Sequence, residues 1–276
     1  MKNIGYLGPK GTFTDEAAYN YAKNENRIEY SSFLHLTEAL ENNSVDEIVV
    51  PIENSLHGTV IEIIDYLISS NNAQIIHEQY MQINLCLIGK KIIDYDQIKI
   101  ITSKEEALTQ CRKFISRNIP KSKQVFSTST AQAIMDIKNN ENDSIVAVGT
   151  KRAAEIFDLN IIENNIQDRK NNVTRFVTLA NKNINKSSHD KISIAFAFDQ
   201  PDAPGLLFGV FKSFADRNIN LSKIESRPTG DGIGKYIFLI DFIGNILESN
   251  IKECMEEIRK NCSIFKILGN YLSNFG

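Results

Sequence analysis

The stretch "EIVVPIEN" (residues 47–54), the turn "SLHG" and then "TVIEIIDYLISS" (59–70) carry the fold class of this chain. The first part is apolar and β-branched and stops at a polar turn, so it reads as a buried strand. The last part spaces its apolar residues at helical period, so it reads as a helix with one apolar face. The same unit recurs four more times. "NIGYLG" (3–8) leads into "TDEAAYNYAKN" (14–24), where Thr14 can cap a helix whose first turn carries Asp15 and Glu16. "IKIIT" (98–102) precedes "SKEEALTQCRKFISR" (103–117), with Ser103 and Glu106 at capping-box spacing. "QVFST" (124–128) precedes "STAQAIMDIK" (129–138), where Ser129 and Gln132 repeat that spacing, and "SIVAVG" (144–149) precedes "TKRAAEIF" (150–157). This alternation predicts an α/β fold, a mostly parallel sheet with helices on its faces.

In such folds ligands collect beyond the carboxyl ends of the strands, where helix N-termini point. The turns "GPKGT" (8–12), "ENSLHGT" (53–59), "STS" (127–129) and "GTK" (149–151) are therefore candidate pocket walls as a set, although each alone reads as an ordinary helix cap. Neither GxxxxGK[ST] nor GxGxxG is present, which disfavours nucleotide binding. A polar segment, "NKNINKSSHDK" (181–191), reads as a linker, and a different rhythm follows it. "ISIAFAFD" (192–199) is a strand, "GLLFGVFKSFADRN" (205–218) a helix, and "INLSKIESRP" (219–228) and "KYIFLIDFIG" (235–244) are strands. "ESNIKECMEEIRKN" (248–261) is a helix and "IFKILG" (264–269) a last short strand, giving a ferredoxin-like βαββαβ order.

Composition narrows the function. With 276 residues the chain is long enough for about two domains, and 42% hydrophobic residues can build their cores. A net charge of -3, with no basic tail, argues against nucleic acid as a partner. No apolar run reaches membrane-spanning length, and "MKNIGYLGPKGTF" breaks on glycine and proline too early for a secretory leader; a cytoplasmic protein without membrane contact is expected. Cys86, Cys111, Cys254 and Cys262 lack CxxC spacing and sit in apolar periodic segments, so they read as reduced core thiols. The four histidines form no HxH or HExxH pattern, so neither a metal site nor a local Cys-His or Ser-His nucleophile is expected.

One further stretch, "NNVTRF" (171–176), sets a hydroxyl, a guanidinium and an aromatic ring where a polar loop becomes a strand. Taken alone it reads as an ordinary strand start, with Arg175 turned to water. Together with "GYLGPKGTFT" (5–14), "VVPIENSLHGTV" (49–60) and "STAQA" (129–133), however, it resembles the prephenate dehydratase family. "GLLFGVFKSFADRNINLSKIESRP" (205–228) is similar to the phenylalanine-binding ACT domain of the same enzymes, so order and spacing agree over nearly the whole chain. No chorismate mutase segment precedes the match, as in the monofunctional form of the family.

The resemblance implies a catalytic region over 1–180 with two lobes like a type II periplasmic binding protein: 1–78 with 160–180, and 79–159. The linker is then 181–190 and the ACT regulatory domain 191–276. It implies conversion of prephenate to phenylpyruvate in phenylalanine biosynthesis, without a cofactor or metal and with feedback by phenylalanine. Arogenate dehydration and a non-catalytic amino-acid sensor on the same scaffold are the rival readings. By the same resemblance Thr174 is catalytic, the donor to the leaving hydroxyl. Arg175, a fork suited to a carboxylate, and Phe176 are placed at the substrate with it, although Phe176 also reads as core. Asn54, Ser55, Gly58 and Thr59 hold a second carboxylate or the pyruvyl oxygen, with Glu53 orienting them. Ser129 and Thr130 add hydroxyl and N–H donors or simply cap a helix, and Gly11 and Thr12 bring backbone to the ligand or simply form a tight turn.

Phenylalanine is expected at Gly205, Leu206, Leu207, Asn220, Leu221, Glu225, Ser226, Arg227 and Pro228, in an interface of a homodimer or homotetramer. Read from the residues alone, Glu225 and Arg227 are an exposed pair. The chain departs from the family pattern in three places. Leu85 stands where a His is common, Lys104-Glu105 where His-Pro is common, and Leu206 where an Ala is common.

Overall fold

Along the chain the first elements are β1 (Asn3–Leu7), α1 (Phe13–Tyr21), β2 (Asn26–Tyr30), α2 (Phe33–Glu41), β3 (Glu47–Asn54), β4 (Gly58–Thr59), α3 (Ile61–Ser69) and β5 (Gln74–Gln82). Next come β6 (Cys86–Gly89), β7 (Ile100–Ser103), α4 (Glu105–Gln110), α5 (Arg112–Asn118), β8 (Lys123–Phe126), α6 (Thr130–Asn139), β9 (Ile145–Gly149), α7 (Lys151–Phe157), β10 (Asn160–Glu163) and β11 (Val173–Ala180). The last are β12 (Lys191–Phe198), α8 (Leu206–Asp216), β13 (Leu221–Pro228), β14 (Tyr236–Ile243), α9 (Ser249–Arg259) and β15 (Cys262–Tyr271). The structure, a computed structural model, describes residues 1–181, 188–199, 203–229 and 235–273. Most of the expected linker, residues 182–187, lies outside the described residues. No described helix is long and apolar enough to cross a membrane.

The chain divides into two compact units: Met1–Val60 with Tyr80–Phe176, and Ile61–Gln79 with the described residues from Val177 onward. The first unit holds two sheets. In one the strand order is β11-β3-β1-β2, and β1 runs parallel to both neighbours, with Gly5 opposite Ile48 on one side and Ile28 on the other. In the other the order is β10-β6-β9-β7-β8, parallel from β9 to β8 and antiparallel at β6 and β10. The second sheet thus keeps residues 160–163, which the expected boundaries give to the first lobe. Ile4, Tyr6, Ala17, Ala18 and Val49 form a core against the first sheet. Leu87, Ile101, Leu108, Val146 and Val148 do so against the second.

In the second unit the order is β13-β14-β12-β15-β5. The βαββαβ pattern is present, and β15 is ten residues long where a short strand is expected. The helices α8 and α9 cover one face through Phe196, Phe214, Phe242, Ile251 and Ile258. Residues 61–79 belong with this unit because specific bonds hold them there. Gly269 pairs with Ile75, Lys266 Nζ donates to the carbonyls of Ile68 and Ser70, and the buried Lys191 Nζ lies 2.9 Å from Glu78 Oε2. Cys86, Cys111 and Cys254 are buried free thiols, and Cys262 is a half-buried one.

Local signals differ from expectation at three points, each for a physical reason. Thr12, not Thr14, caps α1: its side chain accepts from Asp15 N, so the helix starts two residues early. The helix expected over 103–117 is broken at Cys111. There Asp168 N donates to Gln110 O at 2.6 Å, and the Asp168 carboxylate takes Lys113 N at 3.1 Å, so a loop distant in sequence ends one helix and starts the next. Ser103 is consequently no cap; its Oγ donates to Val148 O at 2.6 Å. Finally, β2 and α2 arise between residues 25 and 46, where the alternation predicts nothing; β2 is largely polar and only partly buried.

Candidate active site

The chain brings the end of β3 against the start of β11 through three bonds. Ser55 N donates to Val173 O (2.9 Å), Val173 N to Ser55 Oγ (3.0 Å), and Ser55 Oγ to Asn171 O (3.1 Å). Directly beside this seam lies a cavity of about 560 Å³ in the first unit. Thr174 and Phe176 line it, whereas Arg175 does not. The reason is the two-residue period of a strand: positions 174 and 176 share a face, and 175 takes the other. Arg175 is only 4% exposed, and its Nη1 lies 3.8 Å from Glu53 Oε2. The expected ligand fork is a buried side chain behind the wall.

Asn54 is the hinge of the polar network. Its Oδ1 accepts from the backbone N–H groups of Leu56 (2.9 Å) and His57 (3.1 Å), which decides the orientation of the amide because both partners are donors. Its Nδ2 must then face the other way, and it donates to Asn172 Oδ1 (2.7 Å) and Thr174 Oγ1 (2.8 Å). The orientation propagates. Asn172 Nδ2 donates to Gln110 Oε1 (3.1 Å), and Gln110 Nε2 faces His57 Nε2 at 3.4 Å, making that ring nitrogen the acceptor. With its oxygen already accepting one bond, Thr174 keeps its own proton for whatever occupies the cavity.

Other expected residues divide into wall and scaffold. Thr130 lines the cavity at the start of α6, while Ser129 accepts from Gln132 N at 2.9 Å and serves as cap. Thr12 caps α1 while its neighbours Phe13 and Thr14 line the cavity. Gly11 has φ +87, and a Cβ there would lie 2.8 Å from Ala153 Cβ, so the position tolerates only glycine. Its N–H donates to Asp15 Oδ2 and its carbonyl accepts from Thr150 Oγ1, which fixes the turn. Gly58 and Thr59 form β4 against Asn54 and Glu53.

Among the cavity residues not expected at the site are four polar ones, His57, Gln110, Asn172 and Glu106. A helical spacing signals part of this wall, since Lys104, Ala107 and Gln110 recur every third residue and all three line the cavity. Nζ of Lys104 lies 3.3 Å from Glu106 Oε1. Partial burial pushes the Glu106 carboxyl up, yet its own backbone N–H and Lys104 together bring it below the usual carboxylate range. Leu85 and Ile83 make an apolar side.

In the second unit Gly205 adopts φ +96 at the N-cap of α8, and Leu206 and Leu207 open that helix. Asn220 is exposed just before β13, and Leu221 packs half-buried on the core. Glu225 and Arg227 share one face of β13, and each meets another partner. Glu225 Oε2 lies 3.2 Å from Lys223 Nζ, and Arg227 Nη1 lies 2.5 Å from Asp65 Oδ1 on α3. Ser226 and Pro228 are exposed on the opposite face.

Comparison with known proteins agrees with this architecture. The family model described as prephenate dehydratase matches residues 4–184, and the ACT domain model matches 195–260. A prephenate dehydratase of Methanocaldococcus jannaschii is 36% identical over 277 residues, covering 98% of this chain and 98% of its own. One from Bacillus subtilis is 33% identical with the same coverage of both chains. The crystal structure of an Arthrobacter aurescens prephenate dehydratase in complex with L-Phe superposes with a TM-score of 0.87 at 28% identity, over 98% of this chain and 90% of that one. This chain belongs to the prephenate dehydratase family and carries its ACT domain.

Proposed function

We propose that the chain converts prephenate to phenylpyruvate, with Thr174 assisting departure of the ring hydroxyl. The observation that carries this reading is the Thr174 hydroxyl itself. It lies in the cavity wall, 7% exposed, its oxygen accepting from Asn54 Nδ2 and its proton available to the ligand. In the reaction the bond between the ring and one carboxylate breaks, and its electron pair enters the ring. The ring C–O bond breaks in turn, releasing carbon dioxide and hydroxide, which becomes water on taking a proton. Aromatisation supplies the driving force, so the protein's task is to lower the barrier at the departing oxygen.

Threonine does not ionise near neutrality, so Thr174 acts as an oriented donor to developing charge and not as a proton reservoir. One such donor lowers the barrier by about 2.7–4 kcal/mol. The apolar side made by Ile83, Leu85 and Phe176 strips water from the carboxylate that leaves as neutral gas. Asn54 and Asn172 position the donor, and Thr130 offers a hydroxyl to the remaining polar groups. The C-terminal unit takes phenylalanine as effector at the start of α8 and the end of β13, in a homo-oligomer working in the cytoplasm.

The test is turnover of purified chain with prephenate, read from phenylpyruvate absorbance, beside Thr174→Ala. Turnover that collapses in the variant supports the reading. Near-normal kcat in Thr174→Ala would remove Thr174 from the mechanism, and turnover of arogenate but not prephenate would move the substrate to the amino acid.

A further inference from the structure

A substrate with two carboxylates needs positive charge, and the cavity offers little of it. Among the described residues that line it, Lys104 is the one lysine or arginine. Arg175 is buried behind the wall near Glu53, and His57 Nε2 lies 3.4 Å from Gln110 Nε2. Lys104 is about half exposed, as is its partner Glu106, and the two side chains meet at 3.3 Å. An exposed pair of this kind contributes little to stability, so either member can exchange partners at small cost. Both line the cavity, which puts a cation and an anion side by side on its wall.

We propose that Lys104 is a substrate-binding residue: its ammonium leaves Glu106 and pairs with a carboxylate of the incoming dianion. Glu106 is the resting counter-ion. It holds Nζ at 3.3 Å when no ligand is bound, and it opposes anions by its own charge. Lys104 stands outside the Asn54–Thr174 network, so its effect falls on binding and not on the departing hydroxyl. The inference rests on the prephenate reading for the identity of the dianion, and on this chain's own side chains for the rest.

The pair makes a sharp test, because bracing and binding predict different signs. If the two groups only brace one another on the surface, deleting either has the same consequence. If Lys104 binds substrate, Lys104→Ala raises KM for prephenate about tenfold or more with kcat within about threefold, the pattern of lost uniform binding. Lys104→Arg keeps KM near the parent value, and Glu106→Gln lowers it. Added salt raises the parent KM and moves that of Lys104→Ala less, as screening of one charge requires. A KM that shifts in the same direction in Lys104→Ala and Glu106→Gln, or in neither, overturns the proposal. Calorimetric binding of phenylpyruvate to the parent and Lys104→Ala tests the same cation without catalysis. Absence of turnover in the parent would thus count against the reaction, while equal affinities would count against Lys104.

Discussion

Asn54 and Thr174 are 120 residues apart in sequence, and Asn54 Nδ2 donates to Thr174 Oγ1 at 2.8 Å. Two backbone N–H groups hold the other end of the same amide, so the direction of the bond is fixed and the threonine proton faces the cavity. Replacing the amide by a carboxylate of the same shape reverses this. In Asn54→Asp the threonine proton turns to the new acceptor, and the two backbone donors stay paired. Steady-state kinetics should show kcat down by about a hundredfold, and the added negative charge should raise KM for the dianion as well. A kcat within threefold of the parent would mean that the orientation of the hydroxyl does not matter.

Thr174→Ala and Thr174→Ser separate the hydroxyl from the methyl. The alanine variant should lose a hundred- to a thousandfold in kcat, the equivalent of about 2.7–4 kcal/mol. Serine keeps the donor and should stay within about tenfold. Equal losses in both would assign the effect to packing of the methyl group.

Gly11 is held at φ +87 with no room for a methyl group beside Ala153. Gly11→Ala should destabilise the chain by about 1–2 kcal/mol from the backbone conformation, with the contact adding to it. Urea unfolding measures this. A midpoint equal to the parent's would show that the turn relaxes freely.

Lys191 and Glu78 are both fully buried and bonded through both carboxylate oxygens. Lys191→Met leaves a buried carboxylate without its ammonium and should cost about 3–5 kcal/mol, whereas adding Glu78→Gln should recover part of it. A double-mutant cycle in urea with no coupling would make the pair incidental.

Burial pushes the Cys262 thiol up to about 11. A thiol raised in the native state contributes stability below its unfolded value, near 9, and loses it as pH rises toward 11. Alkylation of native chain by iodoacetamide at pH 8 should therefore be slow and should speed up toward strong alkali. Mass spectrometry showing rapid labelling of Cys262 at pH 8 would contradict this.

Arg227 meets Asp65 on α3 within the second unit. Arg227→Ala should raise the phenylalanine concentration needed for half inhibition about tenfold, within the usual range of coupling energies. Inhibition curves that coincide would place the effector elsewhere.

The α/β class and most of the element order were legible in periodicity, because strands and helices bury faces at fixed residue intervals; β2 and α2 were not, since β2 is largely polar and only partly buried. That Thr174 and Asn54 line one cavity agrees with the placement the family resemblance implies, and Ser129 was legible as a cap from its spacing to Gln132. What periodicity cannot carry is which distant groups meet. Asp168 breaks the helix at Cys111, and Gln110 reaches the site through Asn172, 62 residues away. Arg175 turns behind the wall because strand alternation gives it the other face. The sequence by itself determined the parts, since each part's spacing is a local property of the backbone. Only the tertiary structure decided the cavity, because register and loop packing bring donors and acceptors together across the chain.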